Sequence, residues 1–426
     1  MTLAWMRGLK RFFRSPATIV GELLFLTLAM VVGASLPQTG TASAADLARL
    51  RQHGRWITAL VDTLGLDHIF QSPAFLLALA MATISLCIVL LEQLRRLPAA
   101  WRQPPTEAQF RVAPFQADFT RPARGTAPAP ETRIRTTGRL GLAGSPLFHL
   151  GLLLVIVAAT LRALFGVEAA VDLLERETLP ATVEAWGAQW PGPLAKPFRL
   201  DEPLTLEAVR ISRYESGDLK ELGVRFTLPG SGSHHLGINQ EFQTSRGRVY
   251  VNSDVGPAAL VEWSDGVSGI HREALLLARE GPGTFSARTS GDMALHARIH
   301  LSSSEDRPSS MELRVTEGPL LLFVGRLAPG ETATIPGGRT VRLEGLPFWA
   351  RLHGNRDPGL WLVYAGFAVG LIGASLTYAV IRVDERVQIT PGDGQERVRI
   401  ALRPHRFAPL FRDRFERLVR DHGGQP

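Results

Sequence analysis

The sequence predicts a membrane α-helical bundle of four transmembrane helices carrying a large, mainly β domain on the extracytoplasmic side. Three observations predict it. Four stretches of about twenty mainly apolar residues are each long enough to cross a bilayer. Arginine and lysine collect on alternate sides of these stretches. Between the third and the fourth, apolar and polar residues alternate with period two, broken by Gly, Pro and Ser clusters.

Composition narrows the alternatives. A chain of 426 residues that is 45% hydrophobic and 20% charged buries too much apolar area to be disordered. Its single cysteine, Cys87, excludes an internal disulfide framework, CxxC redox chemistry, CxxCH haem attachment and cysteine-rich zinc sites. A net charge of +7 suggests nucleic acid until the charges are placed; they flank the apolar stretches and report topology instead.

In chain order, residues 1–16 are a cytoplasmic N-terminus marked by Arg7, Lys10, Arg11 and Arg14. Residues 17–36 form the first span, which contains Glu22. A cleaved signal peptide is the competing reading, with Ala42-Ser43-Ala44 as its cleavage motif. The apolar stretch is long for that role, and three more spans follow, so an uncleaved helix is expected. Residues 37–72 are an extracytoplasmic loop, and residues 73–92 the second span, in which Cys87 reads as a packing residue. Residues 93–144 carry nine arginines against three acidic residues and are rich in Pro and Thr, which reads as a cytoplasmic flexible loop. Residues 145–165 are the third span.

Residues 166–357 are the extracytoplasmic β-rich domain. It opens on a helix-like stretch, VDLLERETLPATVEAW, and then alternates, as in Leu222-Val224-Phe226-Leu228 and Met311-Leu313-Val315. Residues 358–381 are a fourth span without charge up to Ile381. Residues 382–426 are a cytoplasmic tail whose Phe407, Leu410 or Phe411, Phe415 and Leu418 recur at helical spacing between arginines. An amphipathic helix on the inner membrane surface fits that pattern, as does docking on a soluble partner.

No GxSxG, P-loop, GxGxxG after a strand or HExxH occurs, so no catalytic constellation is assigned. His296 and His300 are four apart but alternate with Leu295, Ala297, Ile299 and Leu301, so they belong on the solvent face of a strand. His234 and His235 lie in a Gly/Ser turn region, and His405 and His422 lie among arginines. His149 differs, because it falls about one turn inside the third span, where ionisable groups face a bundle interior or a cavity. It suits an axial ligand to haem iron, or a hydrogen bond to a neighbouring helix. Glu22 lies at similar depth and is a candidate hydrogen-bond partner behind that imidazole. Arg162, near the outer end of the third span, either meets a haem propionate or snorkels to the interface.

These residues together resemble the ResB (CcsB) family, membrane proteins of System II cytochrome c biogenesis. The first span exits through GASLPQ; LGLDHIFQSPAFLLALA enters the second, which ends in LCIVLLEQLRR. The third opens with the His-Leu-Gly-Leu run at His149–Leu152, and the fourth follows RDPGLWLVYAGFAVGLIG. The resemblance covers essentially the whole chain, and the order of the motifs carries it. It implies a non-catalytic or accessory subunit of a haem–apocytochrome c ligation complex in the inner membrane, with haem shared transiently. It also implies a CcsA-type membrane partner, apocytochrome c as the acceptor, a thioredoxin-like thiol reductant, and no nucleic acid. It assigns His149 as the candidate haem ligand, with the opposing histidine on the partner. The tryptophan-rich segment of the CcsA half is absent, the eight tryptophans being scattered, so the chain is not a complete synthetase. The rival reading is a membrane-anchored scaffold whose β domain binds a protein without haem.

Overall fold

A serine followed by proline opens two of the four long helices. Proline sets φ near the helical value, and its missing N–H costs nothing in a first turn. Ser72 also accepts a hydrogen bond from the Phe75 N–H at 3.2 Å, capping its helix. The computed structural model describes residues 2–39, 50–51, 55–123, 130–214, 219–264, 269–281, 283–289, 293–301, 307–392 and 394–425. The Ala42-Ser43-Ala44 motif and Arg124 lie outside the described residues.

The helices are α1 (Thr2–Phe13), α2 (Pro16–Ser35), α3 (Arg55–Leu64), α4 (Pro73–Arg102), α5 (Glu107–Arg111), α6 (Gly144–Phe165), α7 (Leu360–Ala379) and α8 (Arg412–Asp421). The strands between α5 and α6 are β1 (Phe115–Pro122) and β2 (Glu131–Thr137). Between α6 and α7 run β3 (Val167–Leu174), β4 (Thr178–Leu179), β5 (Ala188–Pro191), β6 (Leu204–Arg213), β7 (Leu219–Leu228), β8 (Gly232–Gly237), β9 (Glu241–Thr244), β10 (Gly247–Ser264), β11 (Ile270–Leu276), β12 (Ala278–Gly281), β13 (Thr284–Arg288), β14 (Met293–His300), β15 (Met311–Glu317), β16 (Leu320–Leu327), β17 (Thr332–Ile335), β18 (Arg339–Gly345) and β19 (Phe348–Arg356). After α7 come β20 (Val383–Pro391) and β21 (Gln395–Pro404). The chain divides into two units, one of Met1–Leu36, Gly54–Leu161 and Pro358–Pro426, the other of Pro37–His53 and Arg162–Asp357.

In the first unit, α2, α4, α6 and α7 are long and apolar enough to cross a membrane. The second of these does not stop at residue 92 but continues to Arg102, because Glu92, Gln93, Leu94, Arg95 and Arg96 all favour helix. Its Glu92 receives Lys10 at 2.5 Å and Arg14 at 3.1 Å. Ala29, Ile69, Phe75 and Leu79 form the buried contact between α2 and α4, and Ile156 and Ala159 of α6 pack onto it.

The pair α6 and α7 is joined differently. Gly144, Gly151 and Ala158 recur every seven residues on α6, and Gly359, Gly366 and Gly373 do so at the start of α7 and along it. A seven-residue step returns close to the same helix face. A Cβ on Gly151 would lie 2.4 Å from the Gly370 nitrogen, and one on Gly373 would lie 2.2 Å from the Phe148 nitrogen. Backbone therefore lies on backbone, the arrangement that small residues permit inside a bilayer, where apolar burial gives no net drive.

The first unit also holds a four-stranded antiparallel sheet of order β1-β21-β20-β2. Residues 93–144, expected to be a flexible loop, thus supply two strands, and the tail supplies the other two. Neither segment buries enough apolar area alone; pairing across more than 240 residues of sequence creates the missing core. Phe415, Leu418 and Val419 of α8 fill one sheet face against Val387, Val398 and Ile400. The apolar side of α8 thus covers this sheet, whereas Phe407 and Leu410, of the same expected pattern, lie before the helix and stay exposed.

The second unit is the mainly β domain. Its sheets are eight-stranded (β17-β18-β10-β19-β3-β5, with β9 and β11 also on β10), five-stranded (β12-β13-β14-β15-β16) and four-stranded (β4-β6-β7-β8). Strand β10 is 18 residues long and serves two cores. Val249, Val251 and Val255 join Phe198, Leu206, Phe226 and Leu352 in one, while Ala259 and Val261 join Leu295, Met311, Leu313 and Leu343 in the other. The opening stretch, read as helix-like, instead begins as the end of strand β3, paired there with β19, and continues through a turn into β4. Strand pairing outweighs a local preference for helix.

Candidate functional site

His149 sits in the second turn of α6, half-buried. Its Nδ1 lies 2.7 Å from the carbonyl oxygen of Ser145, one turn earlier. A carbonyl only accepts, so in the neutral ring Nδ1 carries the proton and Nε2 carries the lone pair. Among the described residues Nε2 has no hydrogen-bond partner. This is the tautomer and orientation that metal-binding histidines adopt when a backbone carbonyl holds the other nitrogen. The ring of Phe148 stands edge-on to the imidazole at 5.9 Å. Counting about 100° per residue, His149 projects from the side of α6 opposite Gly144 and Gly151, away from the seam with α7.

Glu22 does not stand behind that imidazole. It is buried, and its Oε1 accepts a hydrogen bond from Ser85 Oγ of α4 at 3.0 Å. It lines an apolar groove of about 540 Å³ with Phe12, Ala17, Phe25, Leu77 and Met81. A carboxylate at membrane depth needs a donor, and Ser85 is the nearest one the helix pair offers. The serine in ATISLC gives no signal in the sequence, because a lone hydroxyl in an apolar run has no periodic signature.

Arg162 is likewise committed. Its Nη1 donates to Asp357 Oδ2 at 2.7 Å and its Nη2 to Glu168 Oε1 at 2.6 Å. Two carboxylates meet the guanidinium, so neither snorkelling nor a haem propionate is needed to explain it.

The other histidines have local roles. His296 and His300 lie on β14, where Leu295, Ala297 and Ile299 point into the core, as expected. His234, expected in a turn, is on β8 and stacks on Phe226 with centroids 5.6 Å apart. His405 donates to Asp384 at 2.8 Å. Burial pushes that Asp384 carboxyl up, but hydrogen bonds from His405, Thr136 and Arg382 outweigh it and hold the group below the usual carboxylate range. His353, packed on Tyr250 with centroids 5.2 Å apart, is pushed below the ordinary imidazole value by burial. His68 bonds Asp67 at 2.8 Å. Among the described residues no three His, Cys, Asp or Glu side chains cluster as a metal site. His149 therefore offers one nitrogen, and any iron it holds must take its remaining ligands from elsewhere.

Comparison with known proteins places this arrangement. The model of the ResB-like family matches residues 18–254, more than half of the chain. The cytochrome c biogenesis protein CcsB of Synechococcus sp. (strain CC9605) is 23% identical over 413 residues, covering 88% of this chain and 89% of its own length. The proteins of the same name from strains CC9902 and WH7803 are each 24% identical, over 417 and 421 residues, and cover 89% and 88% of this chain. With the motif order, the four spans and the β domain between the third and fourth all in place, the chain belongs to the ResB-like family.

Proposed function

We propose that the protein is a membrane subunit of the System II cytochrome c synthetase, acting with a CcsA-type partner in delivering haem and attaching it to apocytochrome c. Both termini and the small sheet lie in the cytoplasm, because arginine concentrates there, and the β domain lies outside. The observation that carries the haem role is the His149 imidazole, with its proton held by the Ser145 carbonyl and its Nε2 lone pair unclaimed. A neutral imidazole so held binds ferric or ferrous iron without first losing a proton. The opposing axial ligand comes from the partner.

Haem is cargo in this scheme. The chain's own contribution is to orient one ligand near the inner leaflet and to hold the β domain on the far side, where the acceptor polypeptide arrives. The complex co-purified from cells expressing both subunits should show a haem absorption spectrum, and His149→Ala should lose most of it. Unchanged haem content and band positions in that variant would remove the ligand assignment. The rival reading, a scaffold without haem, draws on Arg162, whose charge is already met by Glu168 and Asp357. That reading expects no haem in the purified pair at all.

A further inference from the structure

The two edges of the five-stranded sheet differ. At one end β12 is four residues long, reads Ala-Arg-Glu-Gly and is exposed, a short charged edge of the kind that discourages further pairing. At the other end β16 is eight residues long and begins Leu-Leu-Leu-Phe-Val-Gly, with neither charge nor proline before Arg326. Leu320, Leu321 and Val324 are 64%, 54% and 64% exposed. Among the described residues, the backbone of residues 320–326 bonds only to β15, so its outward N–H and C=O groups are unclaimed.

We infer that β16 is a strand-addition site that takes an extended segment of unfolded polypeptide carrying apolar side chains. The open row of donors and acceptors, regular from Phe323 onward past a bulge at Leu322, selects the occupant, because only another extended backbone satisfies it in register. Leu320, Leu321 and Val324 offer apolar contacts to side chains of the added strand, and the charge within β16, Arg326, is matched by Glu312 at 3.6 Å. A folded protein seldom has a free strand to give; a polypeptide awaiting covalent haem attachment is unfolded. The assignment to apocytochrome c therefore rests on the proposed function, and it places the acceptor on the β domain rather than on the helices.

The full chain in lipid nanodiscs, titrated with fluorescently labelled, reduced apocytochrome c, tests this. Leu321→Lys/Val324→Lys should weaken binding by about tenfold or more, since charge on an edge strand opposes added pairing. Arg279→Ala on the β12 edge should leave it within about twofold. Where the double lysine variant melts early, Leu321→Thr/Val324→Thr keeps strand preference and should still lose affinity. Equal affinity in wild type and well-folded variants, or no binding by the wild type, overturns the inference. So does a wild-type dimer that the lysines convert to monomer with polypeptide binding unchanged, which would make β16 a contact between copies. Haem content of the co-expressed complex should not change in the lysine variants, whereas His149→Ala should lose haem and keep polypeptide binding, so the two readings fail separately.

Discussion

The large β domain and the small four-stranded sheet solve the same problem with opposite materials. The large domain is closed by apolar side chains; Phe198, Leu204, Phe226, Met311 and Val341 are fully buried, and its buried polar residues are limited among those described to Thr316, His353 and Asn355. The small sheet has a smaller apolar core, Val387, Val398, Ile400 and Val419 with Val383 and Leu402 also buried, yet buries three carboxylates, Asp384, Glu385 and Glu396. Each carboxylate is met by an arginine: Asp384 by Arg382, with a further hydrogen bond from His405, Glu385 by Arg414, Glu396 by Arg121. Apolar contacts degrade by degrees when trimmed, whereas a buried ion left alone is expensive at once. The small sheet should therefore be the more brittle of the two.

The largest effect expected is at Asp384. Asp384→Ala leaves Arg382 and His405 without their shared acceptor and should destabilise the small sheet by about 3–5 kcal/mol, the cost of breaking a buried ion pair from one side. Hydrogen exchange of β20 and β21 should report it while β14 and β15 stay protected; loss of protection in both regions would mean the two are not independent. Next comes Leu313→Ala in the second core of the large domain, expected to cost about 2–5 kcal/mol through lost transfer and cavity terms. A cost above that of Asp384→Ala would reverse the ranking of the two regions.

The smallest effect separates them by pH. The Asp384 carboxyl is held below its ordinary value in the folded protein, so its contribution is complete at neutral pH. That contribution is lost as pH falls from about 4 through the lower folded value, because the unfolded chain takes up the proton first. His353 is also depressed, by burial, so the unfolded chain again binds the proton first, but the loss begins as pH falls below about 6.5. Melting curves of the large domain should show stability falling between neutrality and mildly acid pH, and His353→Phe, which keeps the stack on Tyr250, should flatten that slope. A slope unaffected by the substitution would assign it to other groups.

The same contrast explains what could be read in the sequence. Leu222-Val224-Phe226-Leu228 alternates strongly enough to declare strand β7, and the charge-free run before Ile381 declares α7, because each signal is local and built from apolar residues. In β2, Glu-Thr-Arg-Ile-Arg-Thr-Thr has one large apolar side chain and owes its place to β20, far along the chain. No window contains both partners. In β1, Phe115, Ala117 and Phe119 do alternate, and that signal was masked by the prolines and arginines around it. At the candidate site the depth of His149 was visible because a histidine stands out in an apolar span. The donor to Glu22 was not, since it required knowing that Ser85 faces α2. The two carboxylates on Arg162 come from the ends of β3 and β19, which meet only once those strands pair.

The glycine seam between α6 and α7 has a further consequence. A contact made largely of main chain, with Val155 and Thr377 among the few side chains at it, has little to rearrange, so these spans resist being parted. An incoming helix that wedged between them would have to separate two main chains already at closest approach. The His149 ring projects from the opposite flank of α6, the one on which Ile156, seven residues further on, packs against the α2–α4 contact.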